Sequence, residues 1–242
     1  ITPGMFGYSL IRAAQNRDYF VALMEELPEF GVPLEGLHTE TGPGVFEAAV
    51  LYSDALTAAD RAVLFKASAK EIGHRFGIVP TFMAKISPEL PGCSGHIHQS
   101  LWRDGAPLFF DESDPQKISK TFKHYLAGVM HCLPLVLPCY APTINSYKRL
   151  VEGMWAPTKI TWGLDNRTTA LRVLGGSAKS TRLELRVPGA DMNPYLGVAA
   201  TLASGLYGIE HELDLAEVTT GNGYAATDVE ILPGNLHDAA KR

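Results

Sequence analysis

Lys179-Ser180-Thr181-Arg182-Leu183-Glu184-Leu185-Arg186-Val187-Pro188 sets Leu183, Leu185 and Val187 in alternation with Arg182, Glu184 and Arg186. A period of two makes this a strand with one apolar and one charged face. Just beyond it, Ala190-Asp191-Met192-Asn193-Pro194-Tyr195 leads into a helix of small residues. A strand tied so closely to a buried helix is expected at the centre of its sheet, with its charged face lining a cleft. Buried charge is costly unless it is paired or holds an ion or ligand. Two guanidiniums suit carboxylate or phosphate oxygens, and a carboxylate between them suits a hard cation. The same residues also fit a surface ladder of cross-strand ion pairs.

Working outward, the helix from Asn193-Pro194 to about Leu213 carries Gly197, Ala199, Ala200, Ala203, Ser204 and Gly205, which predict close packing. Thr158 to Gly163 and Thr169 to Leu174 read as strands flanking Asp165-Asn166-Arg167. Asn145 to Pro157 is polar and punctuated by glycine and proline, and reads as a long functional loop. The tail from Thr219 reads as a surface excursion. Upstream, Gly92-Cys93-Ser94-Gly95-His96-Ile97-His98-Gln99-Ser100 places His96, His98 and Ser100 on one strand face, after glycines that let backbone approach a ligand. Neutral imidazole ligates divalent ions, so this pattern favours a site. Asp114-Pro115 starts a helix to about Cys132, with His124 and His131 as packing residues.

Toward the N-terminus, Tyr19, Phe20, Leu23, Met24 and Leu27 predict a helix ending before Pro28. Val32 to Tyr52 reads as two strands joined at Thr41-Gly42-Pro43-Gly44. Folded about that turn, Glu40 and Glu47 can converge, and two converging carboxylates repel unless a cation lies between them; the pair also fits two exposed carboxylates near a loop. Thr57 caps a helix to about Phe76, with Ala62, Phe65, Ala69 and Ile72 as its buried stripe. Ile78 to Ile86 reads as an apolar strand. No domain boundary is legible.

The 242 residues are 46% hydrophobic, enough for a sizeable core, and carry a net charge of −5. No lysine or arginine run predicts a nucleic-acid partner. No apolar run reaches the ~20 residues that span a bilayer, so no membrane partner is expected. Three cysteines without metal-type spacing point to a reduced, cytoplasmic setting. The opening Ile1-Thr2-Pro3-Gly4 reads as the middle of a longer protein.

Asn145-Ser146-Tyr147-Lys148-Arg149-Leu150, Asn166-Arg167, Arg182-Leu183-Glu184-Leu185-Arg186 and Ala190-Asp191-Met192-Asn193-Pro194-Tyr195-Leu196 resemble, in order, motifs of the glutamine synthetase catalytic domain. Ser94-Gly95-His96-Ile97-His98 is similar to that family's Ser-Gly-x-His-x-His segment, one residue shorter. The resemblance covers nearly the whole chain, residues 1–242, as one catalytic domain. It implies an α+β fold, a curved and mainly antiparallel sheet with helices packed outside. It places the family's N-terminal β-grasp domain and Glu-x-Glu metal strand upstream of Ile1.

The resemblance further implies an ATP-dependent ligase. Glutamate is activated as γ-glutamyl phosphate and then attacked by ammonia or an amine, with Mg²⁺ or Mn²⁺ holding the phosphates. Glu40 and Glu47 match ligands of one metal, and His96 and Glu184 match those of the other. Arg149 and Arg186 match the glutamate clamps, Gly92 a further glutamate-binding position, and Arg167 the residue that steadies the transferring phosphoryl. His98, Ser100, Arg172, Lys179 and Arg182 match ATP-facing positions. The expected assembly is a homo-oligomeric ring of the dodecamer type, with sites between subunits.

This sequence departs from the family at two positions that bear on chemistry. Glu40 and Glu47 stand one residue closer than in bacterial glutamine synthetase. Where the family has the glutamate that binds and deprotonates ammonium, Glu152-Gly153-Met154-Trp155-Ala156-Pro157 has Trp155. An indole cannot act as a base, but it can wall an alkyl amine. The expectation is therefore a γ-glutamyl amine ligase. Glutamine synthetase itself is the alternative, and a non-catalytic structural relative a more distant one.

Overall fold

The computed structural model describes residues 4–242; Ile1, Thr2 and Pro3, part of the opening read above, lie outside the described residues. The chain separates into two compact units, Ile1–Cys93 and Ser94–Arg242, where the sequence shows no boundary.

In the first unit, α1 (Leu10–Gln15) and α2 (Arg17–Glu29) precede an antiparallel pair, β1 (Leu34–Thr39) and β2 (Phe46–Val50), and a long helix, α3 (Ala55–Arg75). Tyr19, Phe20, Leu23 and Leu27 recur at helical spacing and bury one face of α2 against Ala69 and Ile72 of α3. The ring of Phe20 meets Phe46 edge-on at 4.8 Å. Pro28 stands inside the last turn of α2, which runs on to Glu29; its carbonyl still accepts from Gly31 N–H at 2.9 Å. The cap of α3 is Asp54, which accepts from the amide of Thr57 at 3.0 Å, so Thr57 lies within the first turn. Its buried residues are Ala59, Ala69, Ile72 and Gly73. The strand expected over Ile78–Ile86 does not form. Pro80 removes a ladder donor, and Ile78 and Phe82 pack on the core while Val79 and Met83 face solvent.

The second unit holds a four-stranded sheet in the order β3-β8-β7-β6. β3 (Ile97–Gln99) and β7 (Leu171–Leu174) both pair antiparallel with β8 (Arg182–Leu185), and β6 (Trp162–Leu164) adds the one parallel pairing. A small ribbon, β4 (Trp102–Arg103) with β5 (Ala106–Pro107), stands apart. The helices are α4 (Lys120–Cys132), α5 (Leu137–Tyr140), α6 (Ile144–Arg149), α7 (Pro194–Glu210) and α8 (Leu236–Ala240). The apolar sheet face, Ile97, Leu171, Val173, Leu183 and Leu185, shares one core with Phe122, Tyr125, Leu126 and Val129 of α4. This is the expected α+β arrangement of a mainly antiparallel sheet backed by helices.

Several boundaries differ from the sequence reading. α4 begins at Lys120 behind Ser119, because the Asp114 carboxylate instead closes a turn by accepting from the amides of Gln116 and Ile118. Ile144–Arg149, expected as loop, is helical because Thr143 and Ser146 form a reciprocal capping box. The strands begin at Trp162 and Leu171, later than expected. The tail is not wholly a surface excursion, since Leu232 and Ala239 are buried in the core. His124 donates through Nδ1 to the Leu213 carbonyl at 2.8 Å, as a packing residue would, whereas His131 is exposed and stacks on Tyr207. Among the described residues no helix is long and apolar enough to cross a membrane, and no disulfide joins the cysteines.

The small residues of α7 allow its backbone to touch that of α4. A Cβ on Gly208 would lie 2.1 Å from the His124 carbonyl oxygen and 2.5 Å from the Gly128 Cα. Both are backbone atoms, so no rotamer change can relieve the clash. We predict that Gly208→Ala destabilises the protein by about 2 kcal/mol or more, even though alanine is the better helix former by about 1 kcal/mol. Thermal unfolding followed by circular dichroism should show a lower Tm; an unchanged or raised Tm would mean the helices do not meet there.

Candidate functional site

β8 lies between β3 and β7, so its charged face has neighbours on both sides. His98 faces Glu184 across one pairing and Arg172 faces it across the other. Glu184 is 3% exposed. Its Oε1 accepts from Arg186 Nη1 at 2.5 Å and lies 3.0 Å from His96 Nδ1, and its Oε2 accepts from Arg172 Nη1 at 2.8 Å. Arg182, at the start of the strand, donates through Nε to His98 Nδ1 at 3.0 Å. The strand and its two partners thus gather His96, His98, Arg172, Arg182, Glu184 and Arg186.

Burial lowers the pKa of His96 to about 4; its contact with Glu184 opposes this and the charge of Arg186 adds to it. His96 is therefore neutral at physiological pH. Burial works against ionising Glu184, but the hydrogen bond from His96 and the charge of Arg186 more than offset it, and Glu184 sits well below the usual carboxylate range. Among the described residues, His96 Nε2 and Arg186 Nε are buried with no hydrogen-bond partner, as is the Tyr224 hydroxyl. Such groups are costly to leave unmet. A neutral imidazole nitrogen beside an ionised carboxylate fits a divalent cation, and an aimed guanidinium N–H fits an anionic oxygen.

Arg149 lies at the end of α6 and is 2% exposed. Its Nη1 donates to the Val187 carbonyl at 2.7 Å, and its Nη2 to the Arg186 carbonyl at 3.0 Å and to Ser94 Oγ at 2.8 Å. It fastens α6 to the outgoing end of β8. At the other end of α6, Asp191 Oδ2 accepts from Ser146 Oγ at 2.6 Å and Thr143 Oγ1 at 3.1 Å. A six-residue helix is too short to persist alone, so these two anchors hold it.

The remaining expected residues lie outside this cluster of contacts. Ser100 accepts from the Trp102 indole at 2.9 Å. Lys179 is exposed in the turn between β7 and β8, and Arg167 is exposed in the turn between β6 and β7. Trp155 is 59% exposed, with φ +62, in the turns after α6. Gly92 is half-buried in the first unit, just before its boundary.

Glu40 and Glu47 are also in the first unit. The hairpin about the Thr41–Gly44 turn brings them together with His38, and the three offer ligand atoms that all lie within 4.8 Å of one another. His38 pairs directly with Glu47 across β1 and β2; its Nδ1 is 3.5 Å from Glu40 Oε1 and its Nε2 is 4.0 Å from Glu47 Oε1. One imidazole and two carboxylates suit Mn²⁺ or Mg²⁺. Sequence reasoning missed His38. The signal was present: residues two apart on a strand share a face, which puts His38 beside Glu40.

Comparison with known proteins agrees with these motifs. The family model described as "Glutamine synthetase, catalytic domain" matches residues 3–242. Type-1 glutamine synthetase 2 of Dictyostelium discoideum is 53% identical over 247 residues, covering 100% of this chain and 47% of that protein. Glutamate–isopropylamine ligase of a Pseudomonas species is 39% identical, covering 96% of this chain and 51% of that protein. Among solved structures, an ADP complex of GmaS superposes with a TM-score of 0.90 at 33% identity, over 99% of this chain and 57% of that one. The chain spans about half the length of the curated relatives it matches.

The depressed His96 pKa has a consequence for stability. As pH falls from about 6.5 toward 4, the unfolded imidazole gains a proton that the native one refuses. The unfolded state then binds more protons, so stability falls with pH across that window. His98, also depressed mainly by burial, acts in the same direction. Between pH 7 and pH 5 we predict a loss of about 2 kcal/mol from His96 alone. Urea unfolding of the wild type and of His96→Gln at both pH values checks this: the wild type should lose more by that amount, and equal losses would contradict it.

Proposed function

The chain belongs to the glutamine synthetase catalytic-domain family, and we propose that the protein is an ATP-dependent ligase joining the γ-carboxylate of glutamate to an amine. A γ-carboxylate oxygen attacks the terminal phosphorus of ATP and ADP leaves, giving γ-glutamyl phosphate. The amine nitrogen then attacks the acyl carbon, phosphate leaves and the nitrogen loses a proton. In this reading His96 and Glu184 hold one divalent cation, and Glu40 and Glu47, joined by His38, hold another. Bound Mg²⁺ or Mn²⁺ would neutralise charge on the phosphate oxygens. Arg186, with its unmet Nε, binds a glutamate carboxylate, and Arg149 takes part in the same recognition; Gly92 remains a glutamate-binding position by resemblance. Arg167 neutralises charge on the transferring phosphoryl group. His98, Ser100, Arg172, Lys179 and Arg182 form the nucleotide-facing set. We further propose a homo-oligomeric ring working in the cytoplasm.

The observation that carries the amine reading is Trp155. An ammonium ion must lose a proton before it attacks, which needs a nearby carboxylate. The indole has no acceptor, and Glu152, three residues earlier, is exposed. The ring of Trp155 offers apolar contact and a face for a cation, worth about 0.5–2 kcal/mol. The 53% identity to a protein named glutamine synthetase favours the second reading, in which ammonia is the nucleophile.

The two readings separate in a phosphate-release assay on the full-length protein with glutamate and ATP. We predict a higher kcat/KM for a primary alkylamine or polyamine than for ammonium, with Trp155→Glu shifting preference toward ammonium. If ammonium exceeds every amine from methylamine to spermine, the glutamine synthetase reading stands. Independently, Glu184→Ala should lower activity by roughly two orders of magnitude or more. Unchanged turnover under limiting Mg²⁺ or Mn²⁺ would remove Glu184 from the cation site.

A further inference from the structure

The turn Asp165–Thr168 is held from three directions. Asp165 has φ +46, in the left-handed region, which is unfavourable for a non-glycine residue. Its amide nonetheless donates to the Val173 carbonyl at 2.9 Å, prolonging the ladder beside β7. Its carboxylate, 76% exposed, accepts from both Nε (2.9 Å) and Nη2 of Arg172. The remaining arm of the same guanidinium reaches the buried Glu184. Arg172 is thus gripped by one carboxylate from inside the sheet and one from solvent.

The other two residues of the turn face the tail. Asn166 Oδ1 accepts from the amide and hydroxyl of Thr168 at 3.0 and 2.6 Å, while its Nδ2 donates to the Gly221 carbonyl at 2.8 Å. Thr168 Oγ1 accepts from the amide of Gly223 at 2.7 Å. A Cβ on Gly223 would meet the Thr168 carbonyl at 2.8 Å, so the contact is close-packed as well as hydrogen-bonded. Between these fixed neighbours Arg167 lines an open cavity of about 620 Å³, bordered also by Asp165, Asn166 and Thr219.

We propose that Asp165 is a positioning residue for Arg167. By holding Arg172 from the solvent side it keeps the turn in its strained conformation and fixes the direction in which Arg167 points. The consequence for turnover rests on the role given to Arg167 above; the consequence for the turn does not. A lone exposed ion pair contributes little to stability. Arg172, however, is only 14% exposed and already anchored to Glu184, so Asp165 closes on a fixed partner at low entropic cost.

The test compares Asp165→Gly and Asp165→Asn in the full-length protein. Glycine accepts the left-handed conformation but loses the carboxylate. Asparagine keeps that conformation and one acceptor oxygen while losing the charge. Hydrogen exchange read by mass spectrometry over residues 164–174 should be faster in Asp165→Gly, with Asp165→Asn intermediate and peptides from α4 and α7 unchanged. Turnover should follow the same order, kcat falling roughly ten- to a hundredfold for the glycine variant, with KM for glutamate within about twofold. Exchange equal to wild type in Asp165→Gly overturns the proposal, as does faster exchange with unchanged kcat when Arg167→Gln itself is crippled. If Arg167→Gln leaves kcat intact while exchange rises, the turn is held as proposed and the phosphoryl role of Arg167 is what fails.

Discussion

Glu184 carries its negative charge at the centre of a sheet, at 3% exposure. Removing a carboxylate from water costs several kcal/mol, recovered only when charge and hydrogen bonds meet it with good geometry. Here three groups do so: Arg172 from β7, Arg186 from two residues along β8, and His96 from just before β3. Register decides the outcome. A one-residue slip of β8 would turn Glu184 into the core and Leu183 or Leu185 toward the arginines. The apolar face locked over α4 and the charged face gathered about Glu184 are therefore two results of one alignment.

That alignment needs backing that does not move. α4 and α7 pack backbone to backbone at Gly128 and Gly208. Behind the sheet the Tyr125 hydroxyl donates to Gln99 Oε1 at 2.5 Å, and Gln99 Nε2 donates to the Val198 carbonyl at 3.3 Å. Gln99 sits next to His98 on β3, facing the other way. The helices thus fix β3 from behind while Glu184 fixes it from the front. Phosphoryl transfer involves little covalent work by the protein and much placement of charge, which is the kind of task a rigid charged face can perform.

The residues of that face were legible because strand periodicity is strict. Three alternating pairs at Arg182–Val187 marked the strand and its central place in the sheet. Glu40 and Glu47 were legible because a Gly-Pro-Gly turn leaves a hairpin few alternatives. What failed was local competition. Asp114 looks like a helix start but caps a turn, and Thr143 with Ser146 makes a helix where glycine and proline nearby read as loop. Ile78–Ile86 has strand composition but no partner strand, and hydrophobic content cannot say which edge is available. Asp165 was missed for another reason: it acts through a cross-turn neighbour, and a single charged residue carries no periodic signal.

The first unit solves its charge problem differently. Glu40 and Glu47 converge with His38 between their oxygens. Glu184 is satisfied by protein donors and can stay ionised without a cation. The two carboxylates of the hairpin are half-exposed, whereas a cation at the buried Glu184 must compete with two guanidiniums, so we expect a divalent cation to gain more at the hairpin. Affinity for a cation should accordingly be set by the hairpin. The β8 cluster, already neutralised, is better suited to hold a cation that arrives with an anionic ligand, since the anion can engage Arg172 and Arg186 as the cation takes their place on Glu184.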